Sequence, residues 1–534
     1  MNTSQLEDIR REARRLVDKE GLNPYPVEFG IVNKSQMNEL SAYGGLPERY
    51  PHWRFGMRYD RQKKQSSYGG LRMYELVINS NPALAYLQEE NSLLQNKAIM
   101  VHVYAHSDFF RNNQWFEHTR DDMEKVIAKH ADTIQKYMDH YGIAEVESFL
   151  DKVLSLEYCI DPHAPFISEQ AREEATQAVE KIPVQREYMD RFINPEEWVV
   201  PRRDESVNEK REKEREEPTK DLLQFLSAYG RLKEWQREVI AIVREESYYF
   251  APQMMTKIMN EGWAAYWQSK IMAERGFAEE EEIVDHADMQ SKVLGGSSGF
   301  NPYSLGKRIW EDIKFRWDRG RYGRQWENCE DRKRLDSWDT GEKAGKKKMF
   351  EVRENLNDVM FLDSFFRRKL FEDMDLFSYE WIPEVKRYHL TSRDFKSVRK
   401  KLLFRFTHLG RPTIRVETGN YENRGELLLI HEFNGVNLHL GDAKKVLRNL
   451  YDLWGRPVNL KTVVRDREGS VVPMNPETRL GQHSSGPPSK IDQPVQFRFS
   501  GDQMEKEELP QEELEKLVYD DTDYDTLPRP WIGR

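Results

Sequence analysis

Cysteine is scarce in this 534-residue chain, which has only Cys159 and Cys329. Two cysteines cannot form a disulfide framework or a cysteine-based zinc site, so a bound metal ion would be held by histidines and carboxylates. The sequence also lacks an apolar run of the roughly 20 residues that span a bilayer. Its N-terminal segment is charged and amphipathic, unlike a secretory signal. We therefore expect a cytoplasmic protein.

An extended basic field is missing as well. The net charge is -10, but eleven acidic residues and two lysines between Asp502 and Asp525 supply -9 of it. The rest of the chain is nearly neutral, so bulk attraction to nucleic acid is not expected. Residues 467–534 are rich first in proline, glycine and serine and then in acids. This composition predicts a disordered, acidic tail.

The remaining sequence predicts an α+β protein with more than one domain. Residues 1–385 are predicted to form a large, mainly helical N-terminal domain. Apolar residues recur there at three- and four-residue intervals, as in 232–247 and 349–371. The segment 202–220 has one apolar residue and mixed charge, so it is predicted to be a charged, mobile surface insertion.

Residues 386–466 are predicted to form a small α+β C-terminal domain. One helix is expected to begin at a Ser392 cap and end at Gly410, and a second to begin at an Asp442 cap and end at Gly455. Alternating apolar residues predict strands at 413–419, 425–433, 436–440 and 457–464.

Two histidines four residues apart are the main chemical signal. His102 and His106 lie on a predicted helix from about Ser92 to Phe110, which Asn91 or Ser92 can cap. At 100° per residue both share a stripe with apolar side chains. Two imidazoles at this spacing can bind one ion, as in helical HExxH zinc sites. The alternative is a pair of hydrogen-bonded core histidines.

A third ligand is predicted on a later helix, residues 257–274, which Pro252 can start. Glu261 lies inside this helix among apolar and aromatic residues. A carboxylate in such surroundings is costly to bury unless it is paired or bound to a cation. Glu261 is therefore a candidate metal ligand, and the alternative is a partly exposed glutamate or an ion pair with Lys257.

Five long motifs carry a family resemblance, which covers nearly everything from residue 5 to 466. They are YGGLPERYPHWRFGM (43–57), YELVINSNPALAYL (74–87), HVYAHSDFFRNNQWF (102–116), YFAPQMMTKIMNEGWAAYW (249–267) and NPYSLGKRIWEDI (301–313). The chain resembles the SpoVR family, stage V sporulation protein R. The resemblance implies a cytoplasmic bacterial protein that acts in spore cortex formation, or in stationary-phase and stress physiology. It also implies association with a PrkA-type serine kinase and a von Willebrand A-like protein, but no agreed biochemical activity.

A second resemblance concerns the chemistry of the site. An edge strand (YELVIN), the HxxxH helix and a later helix with EGWAAY follow an order similar to that of gluzincin metallopeptidases, where the later glutamate is the third zinc ligand. This resemblance implies a zincin-like core in the N-terminal domain. It also implies a divalent metal ion, zinc in the first instance, at His102, His106 and Glu261.

The sequence departs from that pattern at the residue after the first histidine. HExxH sites have the water-activating glutamate there, and this chain has Val103. Hydrolysis would need another base, and Asp108 and Glu246 are candidates by residue type. The missing glutamate favours a regulatory or scaffolding protein with a His/Glu metal site. The alternative is a gluzincin-like, metal-dependent hydrolase that acts on peptide or cell-wall precursor bonds.

Overall fold

The computed structural model describes residues 3–67, 75–166, 218–295, 301–382, 387–467 and 490–519. The chain divides into two compact units. The first contains residues 1–143 and 249–410, and the second contains residues 144–248 and 411–521. The first unit thus extends past the predicted boundary near 385, and residues 144–248 group with the C-terminal domain. Most of the predicted insertion, 202–217, lies outside the described residues.

Helices dominate the described chain. The helices are α1 (Thr3–Lys19), α2 (Lys34–Ala42), α3 (Trp53–Ser67), α4 (Leu93–Asn112), α5 (Met123–Tyr141), α6 (Ile143–Leu154), α7 (Leu222–Tyr229), α8 (Glu234–Met255), α9 (Lys257–Ser269), α10 (Ile283–Leu294), α11 (Pro302–Asp318), α12 (Gly323–Glu327), α13 (Arg332–Asp336), α14 (Gly345–Asn355), α15 (Asp358–Phe365), α16 (Arg368–Asp373), α17 (Phe395–Thr407), α18 (Leu440–Trp454) and α19 (Leu514–Leu517). The strands are β1 (Val27–Val32), β2 (Glu75–Ile78), β3 (Ala83–Gln88), β4 (Ser378–Ile382), β5 (Arg387–Ser392), β6 (Ile414–Tyr421), β7 (Glu426–His431), β8 (Val458–Arg467), β9 (Lys490–Phe499) and β10 (Met504–Glu508).

The first unit places a small sheet directly before α4. Its strand order is β1-β3-β2, with β1 parallel and β2 antiparallel to the central β3. The predicted edge strand is therefore present as β2. The zincin-like core that the sequence predicts is not established by this arrangement alone.

One hydrophobic core joins α1, α4, α9, α11, α14 and α15 of the first unit. Its centre is aromatic, with Trp263, Trp267 and Trp310 all fully buried. Helices α9 and α11 cross at two glycines. A Cβ on Gly262 would lie 2.3 Å from the carbonyl carbon of Gly306, so neither position has room for a side chain.

Two predicted helix boundaries in the first unit are wrong. Pro252 does not start the helix that carries Glu261, because it lies inside α8, and α9 begins after Thr256. The predicted helix 349–371 is broken into α14, α15 and α16. Asn357 explains one break, since its side chain caps α15 by accepting a hydrogen bond from the backbone N–H of Met360.

The second unit contains a five-stranded sheet with the order β10-β9-β8-β7-β6. Strands β7 and β8 are parallel, and the other neighbours are antiparallel. Helix α18 is the crossover that a parallel pair requires. Gly455 ends this helix as predicted, in the left-handed conformation at φ 74°.

Three details of the predicted C-terminal domain need correction. Residues 436–440 form no strand within the described chain, since the chain leaves the sheet there and α18 starts at Leu440. His439, not Asp442, is the N-cap residue of α18. Helix α17 is capped by Asp394, whose carboxylate accepts from the backbone N–H of Ser397, while Ser392 ends β5.

The predicted disorder of the tail is wrong for residues 490–519. Strand β9 pairs with β8 along ten residues, and β10 pairs with β9. Val495, Phe497 and Phe499 are buried on one face of β9. This alternation supplies the apolar area that orders the segment, although acids and low-complexity sequence surround it. Residues 468–489 and 520–534 lie outside the described residues.

No helix within the described ranges is both long and apolar enough to cross a membrane.

Candidate metal centre

Helices α4 and α9 bring the three predicted ligands together. Ligand atoms of His102, His106 and Glu261 all lie within 4.8 Å of one another, and no other group of this kind occurs among the described residues. The Oε2 atom of Glu261 is 3.5 Å from Nε2 of His106 and 4.0 Å from Nε2 of His102. The sequence-based prediction that these side chains converge therefore agrees with the structure.

Helix α4 is stabilised by a capping box at its N-terminus and by the burial of its central residues. Ser92 and Gln95 form a reciprocal capping box at its N-terminus, which settles the choice between Asn91 and Ser92. Every residue from Ala98 to Phe110 is buried. Both histidines are 5 % exposed, and their rings are 4.6 Å apart at an interplanar angle of 80°.

Two amide side chains of α9 hold the imidazoles. The Oε1 atom of Gln268 is 2.9 Å from Nδ1 of His102, and the Oδ1 atom of Asn260 is 2.8 Å from Nδ1 of His106. An amide oxygen only accepts, so each Nδ1 carries the proton and donates it. Each Nε2 then directs its lone pair toward Glu261. Partners of this type fix the tautomer and ring orientation of metal-binding histidines.

The electrostatics of the site favour a neutral His102 beside an ionised Glu261. Burial, with the neighbouring His106, lowers the pKa of His102 to about 3. Burial alone would raise the pKa of Glu261, but its contacts with His106 and His102 and the positive charge of Lys257 lower it overall. A neutral imidazole and an ionised carboxylate are the forms that bind a cation.

One carboxylate oxygen of the cluster is placed to bind a cation. The Oε2 atom of Glu261 is buried and has no hydrogen-bond partner in the part of the chain that the structure describes. A buried, unpaired carboxylate oxygen is costly. Ligand atoms about 2.1 Å from a tetrahedral zinc ion lie about 3.4 Å apart, close to the separation between Glu261 and His106. The residues present fit such an ion and leave one of its positions open.

The candidate base Asp108 is engaged in a different contact. Both of its oxygens lie 2.8 Å from Nη1 of Arg353, and Nε1 of Trp263 and the backbone N–H of Asn23 also donate to it. Asp108 and Arg353 are almost fully buried. The carboxylate thus anchors α14 and α9 to α4, and it is not part of the ligand cluster.

The remaining predicted positions are also outside the ligand cluster. Glu246 is buried in α8 and belongs to the second unit, whereas the ligands belong to the first. Val103 is fully buried in the hydrophobic core, so the position that carries the glutamate of HExxH packs against apolar neighbours. The structure therefore places neither candidate base among the three ligands.

Aromatic rings flank both histidines. Tyr303 stacks on His102 and Phe110 stacks on His106, each with ring centroids 6.2 Å apart. Phe110 also lines a cavity of about 710 Å³ at the C-terminal end of α4. Polar groups dominate the walls of this cavity, among them Asn79, Asn112 and Gln114.

Sequence reasoning missed the residues that orient the ligands. Asn260 directly precedes Glu261, and Gln268 follows Glu261 by seven residues, two helical turns. On a helical projection Gln268 falls on the same face as Glu261. That spacing could have identified Gln268 as a neighbour of the ligands. Tyr303 belongs to a different helix, α11, and no local pattern links it to His102.

Comparison with known proteins identifies the family of this chain. Residues 1–411 match the family described as SpoVR like protein, and residues 412–465 match the SpoVR-like C-terminal domain. The chain belongs to the SpoVR family. It is 29% identical to the uncharacterized protein YcgB of Escherichia coli strain K12 in a 484-residue alignment that covers 84% of this chain and 90% of that protein. No solved structure matches the chain.

Proposed function

We propose that this SpoVR-family protein binds one divalent metal ion, zinc in the first instance, at His102, His106 and Glu261, and that it acts as a regulatory or scaffolding protein. The observation that carries the metal site is the unpaired Oε2 atom of Glu261, which faces two Nε2 atoms of fixed tautomer. A cation at this point would offset the cost of burying that oxygen.

Each residue of the site has a defined task in this proposal. The two imidazoles and the carboxylate bind the ion, and Asn260 and Gln268 keep the Nδ1 protons in place. A bound zinc ion supplies Lewis acidity and a position for water or a substrate oxygen. Val103, in the position of the usual base, cannot accept a proton. Because helix α4 has no proton-accepting side chain at this position, a regulatory or structural role is favoured over catalysis.

The cellular part of the proposal rests on family membership. We place the protein in the cytoplasm, in spore cortex formation or in stationary-phase and stress physiology. Its proposed partners are a PrkA-type serine kinase and a von Willebrand A-like protein. Co-purification from cells that express wild type or E261Q tests this role, since a metal-dependent scaffold loses partners in the variant. Equal recovery of both partners would mean that the scaffolding role does not depend on the bound metal.

A metal-dependent hydrolase is the second candidate, because three protein ligands leave a coordination position open. Structural zinc sites commonly have four protein ligands, whereas catalytic sites keep one position for water or substrate. Cleavage of peptides or cell-wall precursors by the zinc-loaded protein, lost in E261Q, would favour this candidate.

Metal analysis of the purified protein tests the shared part of both candidates. We expect close to one zinc per chain after purification without chelator, or after chelator treatment and reloading. The matched variants are H102A, H106A and E261Q, with H286A as the control. His286 is also a buried histidine of the first unit, on α10, and lies outside the cluster. A stoichiometry that stays unchanged in the three ligand variants contradicts the site.

A further inference from the structure

Helix α9 begins without a local side-chain cap. Its N-cap residue is Thr256, whose side chain accepts no capping hydrogen bond within the described chain and instead donates to the carbonyl of Pro252. The cap comes from α15. The carboxylate of Asp358 accepts from the backbone N–H of Ile258 at 2.8 Å and from that of Met259 at 2.9 Å. Asp358 is 1 % exposed, so solvent does not compete for these bonds.

The capped turn leads directly into the metal centre. The residue after Met259 is Asn260, which holds His106, and the next is Glu261. Gln268, which holds His102, belongs to the same helix. One helix therefore carries the carboxylate ligand and both amides. A shift of α9 along its axis would displace all three groups from α4 at once.

The glycine crossing limits α9 in another direction. The contact between Gly262 and Gly306 lets α9 and α11 approach closely, and this contact fixes the lateral position of the helix. It supplies no hydrogen bond along the helix axis. The two bonds to Asp358 point along that axis, since the first N–H groups of a helix do. Together the two contacts define the position of Asn260 and Glu261.

We propose that Asp358 is a positioning residue of the metal centre, which fixes the first turn of α9 so that Asn260 and Glu261 meet His106. This inference rests on the proposed metal site for its functional meaning. Metal sites tolerate only a few tenths of an ångström in ligand position, and loss of a group that orients a ligand commonly lowers metal affinity 10- to 100-fold.

The test compares D358N with N357A in the full chain. D358N keeps the shape of the side chain but replaces one acceptor oxygen by an N–H donor, which repels the backbone N–H it faces. Asn357 is the matched control, because it is the neighbouring residue and caps α15 rather than α9. D358S is a second variant in case D358N does not fold, since serine removes the carboxylate without an opposing amide donor.

Two measurements decide the inference. The first is Co²⁺ affinity, from the visible spectrum and from competition with a chelator. We expect a loss of about tenfold or more in D358N and little change in N357A. The second is the ¹⁵N spectrum of histidine-labelled, metal-free protein, where D358N should alter the Nδ1 signal of His106 while N357A leaves it as in wild type.

Three results would contradict the inference or separate it from the metal proposal. Wild-type affinity in D358N and D358S overturns the positioning role. An equal loss in N357A overturns it too, because the effect then comes from α15 as a whole. Absence of Co²⁺ and Zn²⁺ binding by wild type refutes the metal site. In that case the metal-free histidine spectra still decide whether Asp358 positions His106, and an unchanged signal in D358N overturns that claim.

Discussion

Replacing Glu261 by glutamine should remove metal binding while leaving the fold intact. Glutamine keeps the shape of the side chain but has no charge to offer an ion between Nε2 of His102 and Nε2 of His106. The metal-free variant should be as stable as wild type or slightly more stable. Glu261 Oε2 has no hydrogen-bond partner among the described residues, so the substitution removes a buried charge that is only partly compensated.

The expected size of the effect follows from binding linkage. Zinc at a free concentration 100 times its dissociation constant stabilises wild type by about 2.7 kcal/mol. For a unit of this size, that corresponds to a rise of about 5 °C in the melting temperature. If E261Q binds 100-fold more weakly, the same zinc concentration contributes only about 0.4 kcal/mol, and the rise falls to about 1 °C.

The assay is thermal unfolding with and without zinc, combined with metal analysis of the same samples. H102A should behave differently from E261Q in metal-free buffer, because truncation also leaves a cavity and an unpaired Gln268, at a cost of roughly 1 to 4 kcal/mol. H286A also leaves a cavity but removes no proposed ligand, so zinc should raise its melting temperature as much as that of wild type. A normal zinc-dependent rise in E261Q would refute the reasoning.

Three further outcomes are expected. Asn260→Ala should lower zinc affinity about 10- to 100-fold, because His106 loses the group that fixes its tautomer. Chelator competition measures this affinity, and an unchanged value would count against the role of the amide. Asp108→Asn should lower the free energy of unfolding, measured in urea, by about 3 to 5 kcal/mol, since it leaves buried Arg353 with only the more exposed Glu354 as an anionic partner. Zinc stoichiometry should persist, and a loss of zinc without destabilisation would argue instead for a direct role at the centre. The hydrogen bond from Arg498 lowers the pKa of Glu426 to about 2, so the ionised Glu426 stabilises the fold fully above about pH 4.5, and this stabilisation is lost as the pH falls toward 2. An E426Q variant should lack this acid-dependent stabilisation, which is at most about 3 kcal/mol. An acid-unfolding curve of E426Q parallel to that of wild type would contradict this prediction.

Local patterns predicted the elements that depend on near neighbours. The spacing of His102 and His106, the Ser92 cap and the Gly455 stop all follow from helix periodicity and end signals, and the structure has each of them. Errors arose where another segment replaced the local signal. Asp358 caps α9 from a distance of 100 residues, so Pro252 was the wrong start. Likewise β8 supplies the partner that orders the segment after residue 489.

Residue identities and local spacing are enough to recognise the family and to place two histidines on one helix face. These properties need only residue identity and a spacing of four residues. The folded structure was needed to show that Glu261 faces both histidines, that Asn260 and Gln268 hold them, and that Asp108 pairs with Arg353 instead. Helix periodicity is a local property, whereas the contact between α4 and α9 depends on core packing around Trp263, between segments more than 150 residues apart.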